Sequence, residues 1–127
     1  MIKKLAVLTA VTILLLAGCG KNKVDESTAE AYITKAKEAV TLLNEQNFDE
    51  LRAMFDETMK DALTVEQLQQ TVEALKESGE FSKFGDGSVS KRESYYVTIL
   101  PAEYTKDQRV YEITFDEQQR LAALYVK

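Results

Sequence analysis

The most reactive side chain in this sequence is the thiol of Cys19, because the chain holds one cysteine and no histidine or tryptophan. Without histidine, neither a Ser-His-Asp triad nor a Cys-His pair can form. With no histidine and a single cysteine, the chain cannot build a zinc site from imidazoles and several thiolates. The sequence also has no glycine-rich phosphate loop. The remaining polar chemistry is that of carboxylates and tyrosines, so we predict no metal and no dissociable cofactor.

Cys19 follows a short apolar run near the N-terminus. Two lysines stand within the first four residues, and residues 5–17 are apolar apart from two threonines. A charged start followed by an apolar run well below about 20 residues is typical of a signal peptide rather than of a membrane-spanning helix. The run ends in Leu16-Ala17-Gly18-Cys19, which resembles the lipobox of bacterial lipoproteins.

The lipobox resemblance implies a covalent lipid anchor. A diacylglyceryl transferase would attach diacylglycerol to the Cys19 thiol, and signal peptidase II would cleave between Gly18 and Cys19. Two acyl chains on one residue attach a protein stably to a bilayer, so we expect the mature chain on the outer face of the cytoplasmic membrane. The alternative is an ordinary signal peptide followed by a free or buried thiol.

This processing divides the chain into three parts. Residues 1–18 form the signal peptide, residues 19–26 the lipidated cysteine with a short tether, and residues 27–127 a single domain of ordinary size. Cleavage moves the formal charge from −5 to about −7. The acidic balance leaves no basic face for nucleic acid, and we expect charge repulsion to hold the domain away from anionic lipid.

Three amphipathic helices are predicted in the first half of the domain. A capping box of Ser27 and Glu30 predicts the start of the first, and its apolar stripe has the helical spacing of 3 and 4: Ala29, Ile33, Ala36, Val40 and Leu43. The second is predicted from Phe48 to about Leu63, with a break near Phe55-Asp56 left open. The third is predicted by a second capping box at Thr64 and Gln67 and by a stop at Ser78-Gly79.

The second half of the domain changes to the alternating pattern of strands. The predicted strands lie at residues 80–91 (weak, interrupted at 85–87), 95–100, 109–115 and 121–126. Pro101 favours a sheet edge, a bulge or an early end of its strand. Short connections predict an antiparallel meander. The class is therefore α+β, with three helices packed on one face of a curved antiparallel sheet of about four strands.

Residues 28–127 resemble the small uncharacterised domains of bacterial lipoproteins. The resemblance rests on Asn47-Phe48-Asp49-Glu50-Leu51, on the run from Leu63 to Leu68 and on the ending Thr114-Phe115-Asp116-Glu117. It implies the cone-shaped fold of the nuclear-transport-factor-2-like (cystatin-like) superfamily, without an agreed activity or catalytic residue. Cones of this type often enclose a pocket, and ketosteroid-isomerase-like relatives transfer protons with carboxylates and tyrosines.

Tyr32, Tyr95 and Tyr111 are the candidates for lining such a pocket, although aromatic residues at this spacing more often pack a core. Glu112 is predicted on the outer side of the sheet, where it would not serve as a base. A calcium patch on the helical acids lacks the loop spacing for this ion. Asp56 is instead placed to pair with Lys60 on a solvated helix face.

Two hypotheses about function follow. The first is a non-enzymatic module that binds an envelope protein, or a second copy of itself, through an open sheet face with interface character: Tyr96, Thr98, Leu100, Val110, Glu112 and Thr114. The second is a pocket protein that binds a small apolar ligand or performs weak acid-base chemistry. A filled interior favours the first, and an open cavity with a buried carboxylate favours the second.

Overall fold

The structure, a computed structural model, describes residues 24–127. The predicted signal peptide and the predicted anchor, Gly18 and Cys19 included, lie outside these residues. The helices are α1 (Glu26–Asn44), α2 (Phe48–Ala53), α3 (Glu57–Ala62), α4 (Val65–Leu75) and a 3-10 turn (Lys76–Ser78). The strands are β1 (Phe81–Phe84), β2 (Ser88–Arg92), β3 (Tyr95–Tyr104), β4 (Gln108–Phe115) and β5 (Leu121–Val126). The predicted α+β class is confirmed.

Helix α1 begins one residue before the predicted capping box. Asp25 is the N-cap residue, and no side chain caps the helix. The Ser27 hydroxyl donates to the Asp25 carboxylate at 2.9 Å, so this hydroxyl is engaged outside the helix. The predicted Ser27–Glu30 capping box is therefore wrong, although the helix and its buried stripe are present.

The second predicted helix is divided into α2 and α3 at the Phe55-Asp56 position left open above. The intervening segment joins the start of β5: the amide of Leu121 donates to the carbonyl of Met54 at 2.7 Å, and the amide of Asp56 donates to the carbonyl of Leu121 at 2.9 Å. These bonds replace helical ones. The Asp56 carboxylate then caps α3 by accepting from the Met59 amide, and Lys60 lies 3.9 Å from Glu57 rather than beside Asp56.

Helix α4 has the predicted capping box. The Thr64 hydroxyl accepts from the Gln67 amide, and the Gln67 side chain accepts from the Thr64 amide at 3.0 Å. The helix tightens into the 3-10 turn and stops at Gly79, which has a φ of 88°. With ψ at −158°, Gly79 occupies a backbone region that is essentially restricted to glycine, which explains why the helix ends on this residue.

The sheet has five antiparallel strands in the order β1-β3-β4-β5, with β2 also paired to β3. Strands β2 and β1 lie end to end along one edge of β3: β2 pairs with residues 95–99 and β1 with residues 102–104. The predicted weak strand at residues 80–91 is therefore two short strands. The last four strands form the predicted meander.

Pro101 lies inside the longest strand, so of the three alternatives of edge, bulge and early end, the early end is wrong. Its register partner in β4 is Val110, whose backbone bonds to Lys127 on the other side. The Pro101 carbonyl instead accepts from the Gly85 amide at 2.9 Å. The backbone nitrogen of Pro101, which has no hydrogen to donate, thus faces the gap between β1 and β2. No ladder hydrogen bond is lost there.

The core lies between the helices and one face of the sheet, called the inner face below. It contains fully buried side chains from both layers: Leu43, Leu51, Leu68, Leu100, Tyr111, Ile113, Phe115 and Leu121. Apolar side chains fill this space, as close packing in protein interiors requires. Within residues 24–127, no helix has the length and apolar character needed to cross a bilayer.

Candidate functional site

The three candidate tyrosines do not meet. Tyr32 stacks on Tyr96 with ring centroids 4.3 Å apart, and its hydroxyl donates to the Asp116 carbonyl at 3.2 Å. Tyr111 is fully buried nearer the opposite end of the inner face, and Tyr95 lies on the other side of the sheet, 42% exposed. The set Tyr32, Tyr95 and Tyr111 therefore does not line one cavity.

Tyr111 belongs instead to a buried hydrogen-bonded group with Tyr104 and Asn44. The two phenolic oxygens are 2.6 Å apart, and the Tyr104 hydroxyl donates to Asn44 Oδ1 at 3.0 Å. Burial, followed by the bond to Tyr104, raises the pKa of Tyr111 above its ordinary value. Burial also raises the pKa of Tyr32. Both phenols are therefore neutral at physiological pH.

Tyr104 forms one wall of a cleft of about 280 Å³. We call this the Tyr104 cleft, and it is lined by Asn44, Gln46, Val72, Leu75, Lys76, Gly79, Glu80, Phe81 and Tyr104. Next to it, Arg109 Nε donates to the hydroxyl of the buried Ser78 at 2.7 Å. The cleft opens at the end of the domain where α1 finishes and the 3-10 turn meets β1.

The Tyr104 cleft lacks the parts of an acid-base site in the described residues. Glu80, the one carboxylate of its lining, is exposed. Among residues 24–127 the buried polar side chains are Ser78 and Thr98, and neither is a base at neutral pH. No group of three potential metal ligands converges in this part of the chain. The cleft can offer hydroxyl, amide and apolar contacts to a small molecule.

The second candidate site is the sheet face turned away from the helices, called the outer face below. Register pairs Tyr96 with Phe115, Thr98 with Ile113 and Leu100 with Tyr111, which places these β3 residues on the inner face. The predicted interface set was therefore wrong for this strand. The outer face instead carries Tyr95, Val97, Ile99, Val110, Glu112, Thr114 and Tyr125.

The outer face holds the exposed large apolar side chains of the domain. In residues 24–127 these are Tyr95 at 42%, Val110 at 36% and Tyr125 at 62% exposure. Glu112 lies among them as predicted, with Ile99 and Tyr125 as its register partners. Exposed apolar side chains gathered on one face are a feature of interaction surfaces.

Comparison with known proteins places the chain in a family. Residues 36–124 match the family model described as "Protein of unknown function (DUF3887)". The chain belongs to the DUF3887 family. No curated protein matches it.

One solved structure resembles this DUF3887 chain, the NMR structure of a protein from Ruminococcus gnavus ATCC 29149. The two chains are 20% identical, and the similarity covers 80% of this chain and 90% of the other with a TM-score of 0.67. At this identity the likeness extends to the fold alone. Neither comparison describes an activity.

Sequence reasoning missed two features of the DUF3887 domain. The Asn44–Tyr104–Tyr111 group was not predicted because β3 was expected to end near Pro101, three residues before Tyr104. The pairing of Ser78 with Arg109 joins residues 31 positions apart and has no local signal. Continuing the alternation of β3 through Pro101 would have placed Tyr104 on the same face as Leu100.

Proposed function

We propose that this chain is a lipid-anchored extracytoplasmic module that works by binding and not by catalysis. The anchor is Cys19, exposed by cleavage after Gly18, and the location is the outer face of the cytoplasmic membrane. The basic start, the short apolar run and the lipobox resemblance support this location. The bilayer is therefore one partner, held through the acyl chains, and the domain presents its surface to other envelope components.

The observation that carries the binding role is the contrast between the two sides of the sheet. The inner face is filled by side chains such as Tyr111 and Phe115. The large apolar side chains that remain exposed in residues 24–127 all stand on the outer face. Because exposed apolar side chains on one face favour an interaction site, we assign the contact surface of the module to the outer face.

We also place the domain in the nuclear-transport-factor-2-like (cystatin-like) superfamily as part of this proposal. Support comes from helices confined to one side of an antiparallel sheet and from the long first helix lying against β3 and β2. In this fold the space between helix and sheet either holds a ligand or is filled. Here it is filled apart from the Tyr104 cleft at one end.

Binding of a small ligand in the Tyr104 cleft is the second candidate function. It is favoured by the polar groups at the wall of a partly apolar cleft of about 280 Å³. Proton transfer of the ketosteroid-isomerase type has less support, since the tyrosines have no buried carboxylate beside them in the described residues. A fragment screen by NMR tests the cleft: bound fragments would shift the Asn44 side-chain amide.

Tyrosine nitration followed by peptide mass spectrometry tests the outer face. In detergent extracts Tyr125 and Tyr95 should react, while Tyr32 and Tyr111 stay unmodified until the protein unfolds. In intact membranes we expect Tyr125 and Tyr95 to be protected because the outer face is covered. A Gln69→Tyr variant is the matched control, since residue 69 is exposed on α4 and its tyrosine should react in both preparations.

Equal nitration of Tyr125 in membranes and in detergent would contradict the binding role of the outer face. If the tyrosine of the Gln69→Tyr variant is also protected, the nitrating reagent does not reach the protein in membranes. Protection of Tyr125 would then not indicate a contact, and the binding role would lack support. Only selective protection of the outer face supports the proposal.

A further inference from the structure

The charge of the domain is divided unevenly between its two layers. Residues 24–78, which contain the helices, carry 13 acidic and 5 basic side chains. Residues 79–127, which contain the sheet, carry 8 acidic and 7 basic ones. The excess negative charge that predicts repulsion from anionic lipid thus lies in the helical layer. The sheet layer is close to neutral.

The outer face itself is balanced in charge. Lys83 lies 3.5 Å from Glu103 at one side of it. Arg92 stands opposite Tyr95 at the other end, and Glu112 lies between. Within a Debye length of about 8 Å, an anionic surface therefore repels the helical layer and is indifferent to the outer face. Electrostatics favours the orientation that turns the outer face toward lipid.

The apolar residues of the outer face suit the boundary between lipid and water. In residues 24–127, two of the three exposed large apolar side chains, Tyr95 and Tyr125, are tyrosines. This residue type collects at headgroup depth because its ring is apolar and its hydroxyl polar. Glu112 keeps its hydration at that depth. These residues fit a face that rests on headgroups without entering the hydrocarbon.

The predicted tether is long enough for this orientation. From Cys19 to Asp25 the chain spans six residue steps, or at most about 20 Å. Helix α1 starts on the inner side of the sheet. Packed layers lie roughly 10 Å apart, and the outer side chains add about half that, so the tether must cover roughly 15 Å around the end of the sheet near Asp116.

We propose that the outer face docks on the bilayer that carries the anchor, so that the module lies with its sheet on the lipid and its acidic helices and Tyr104 cleft turned away. The proposal rests on the proposed function, because it needs the anchor at Cys19, and it names the lipid surface as the envelope component that the outer face contacts. The net charge alone instead predicts that the domain is held away from anionic lipid.

Spin labels at two matched positions test the docking in the full chain. Lipidation uses the only natural cysteine, so Tyr125→Cys and Gln69→Cys each add one labelling site. Both native side chains are exposed, so neither change should disturb folding. The lipidated proteins are placed in vesicles of phosphatidylcholine and phosphatidylglycerol in equal parts, and collisions of each label with oxygen and with a water-soluble nickel chelate are measured.

Docking predicts that the label at position 125 loses most of its collisions with the nickel chelate and gains collisions with oxygen in vesicles. The label at position 69 should remain in water. Equal access of the nickel chelate to both labels would overturn the docking. Strong dipolar broadening between labels at 125, relieved by dilution with unlabelled chain, would also overturn it, because a second copy would then cover the face.

A thiol reagent separates failure of docking from failure of the anchor. If the unsubstituted chain reacts with maleimide at Cys19, the lipid anchor is absent. This result would contradict both the proposed function and the docking. If Cys19 is unreactive and the label at position 125 remains in water, the docking alone is contradicted. The proposal of an anchored module is then retained.

Discussion

Replacing Tyr104 with phenylalanine removes the central hydroxyl of the buried group. This hydroxyl lies 2.6 Å from the Tyr111 oxygen and 3.0 Å from Asn44 Oδ1. The loss of two hydrogen bonds, with the fully buried Tyr111 hydroxyl left without its phenolic partner, should lower the free energy of unfolding by about 2–3 kcal/mol. Tyr111→Phe removes one bond and leaves Tyr104 bonded to Asn44, so about 1 kcal/mol is expected.

The double variant Tyr104→Phe/Tyr111→Phe measures the coupling between the two hydroxyls. Once Tyr104 is phenylalanine, Tyr111→Phe removes a poorly satisfied buried hydroxyl, so it should cost nothing further or recover part of the loss. The assay is urea unfolding followed by far-ultraviolet circular dichroism, with Tyr125→Phe as control. The hydroxyl of Tyr125 stands in water, and its loss should change stability by less than about 0.5 kcal/mol. Additive effects of the Tyr104 and Tyr111 changes would refute the coupling.

Three further predictions concern stability, each measured by unfolding. Thr64→Ala should cost about 1 kcal/mol because it removes the α4 capping hydroxyl, whereas Thr64→Ser should cost little; an equal loss in both would contradict the capping role. Gly79→Ala should cost about 1–3 kcal/mol, since φ is 88° and the new Cβ would collide with the Thr105 hydroxyl; a neutral effect would refute the strain. Because the pKa of Tyr111 is raised in the folded state, the folded protein keeps the phenol proton while the unfolded chain loses it above pH 10. The free energy of unfolding therefore has its full value below pH 10. Above pH 10 it falls by about 1.4 kcal/mol per pH unit for this group. Tyr111→Phe should make that fall less steep, and an unchanged slope would contradict the assignment.

The fold class followed from local periodicity. Helical spacing in the first half and alternation in the second predict separate layers, and the capping box at Thr64 marked its helix correctly because both of its bonds are local. Where a competing partner is distant, the local pattern left the outcome open. The break before Asp56 depends on backbone bonds to Leu121, some 65 residues away in the chain.

Pro101 shows the same limit in the sheet. Its tolerance inside β3 depends on a gap in the neighbouring edge at residues 85–87, which no local pattern reveals. Ending the strand at Pro101 hid Tyr104 and with it the buried tyrosine group. The error in the β3 face had another cause: Tyr95–Leu100 has strand-forming residues on both sides, so alternation alone does not say which side is buried.

The intact mass of the mature protein from membranes tests the central claim, the lipid anchor at Cys19, most directly. We expect a chain that begins at Cys19 and carries the mass of a diacylglyceryl group on it. Inhibition of signal peptidase II should return the mass of the full precursor with the lipid attached. A chain with an unmodified Cys19 thiol, or one cleaved elsewhere, would contradict the anchor and every proposal that depends on it.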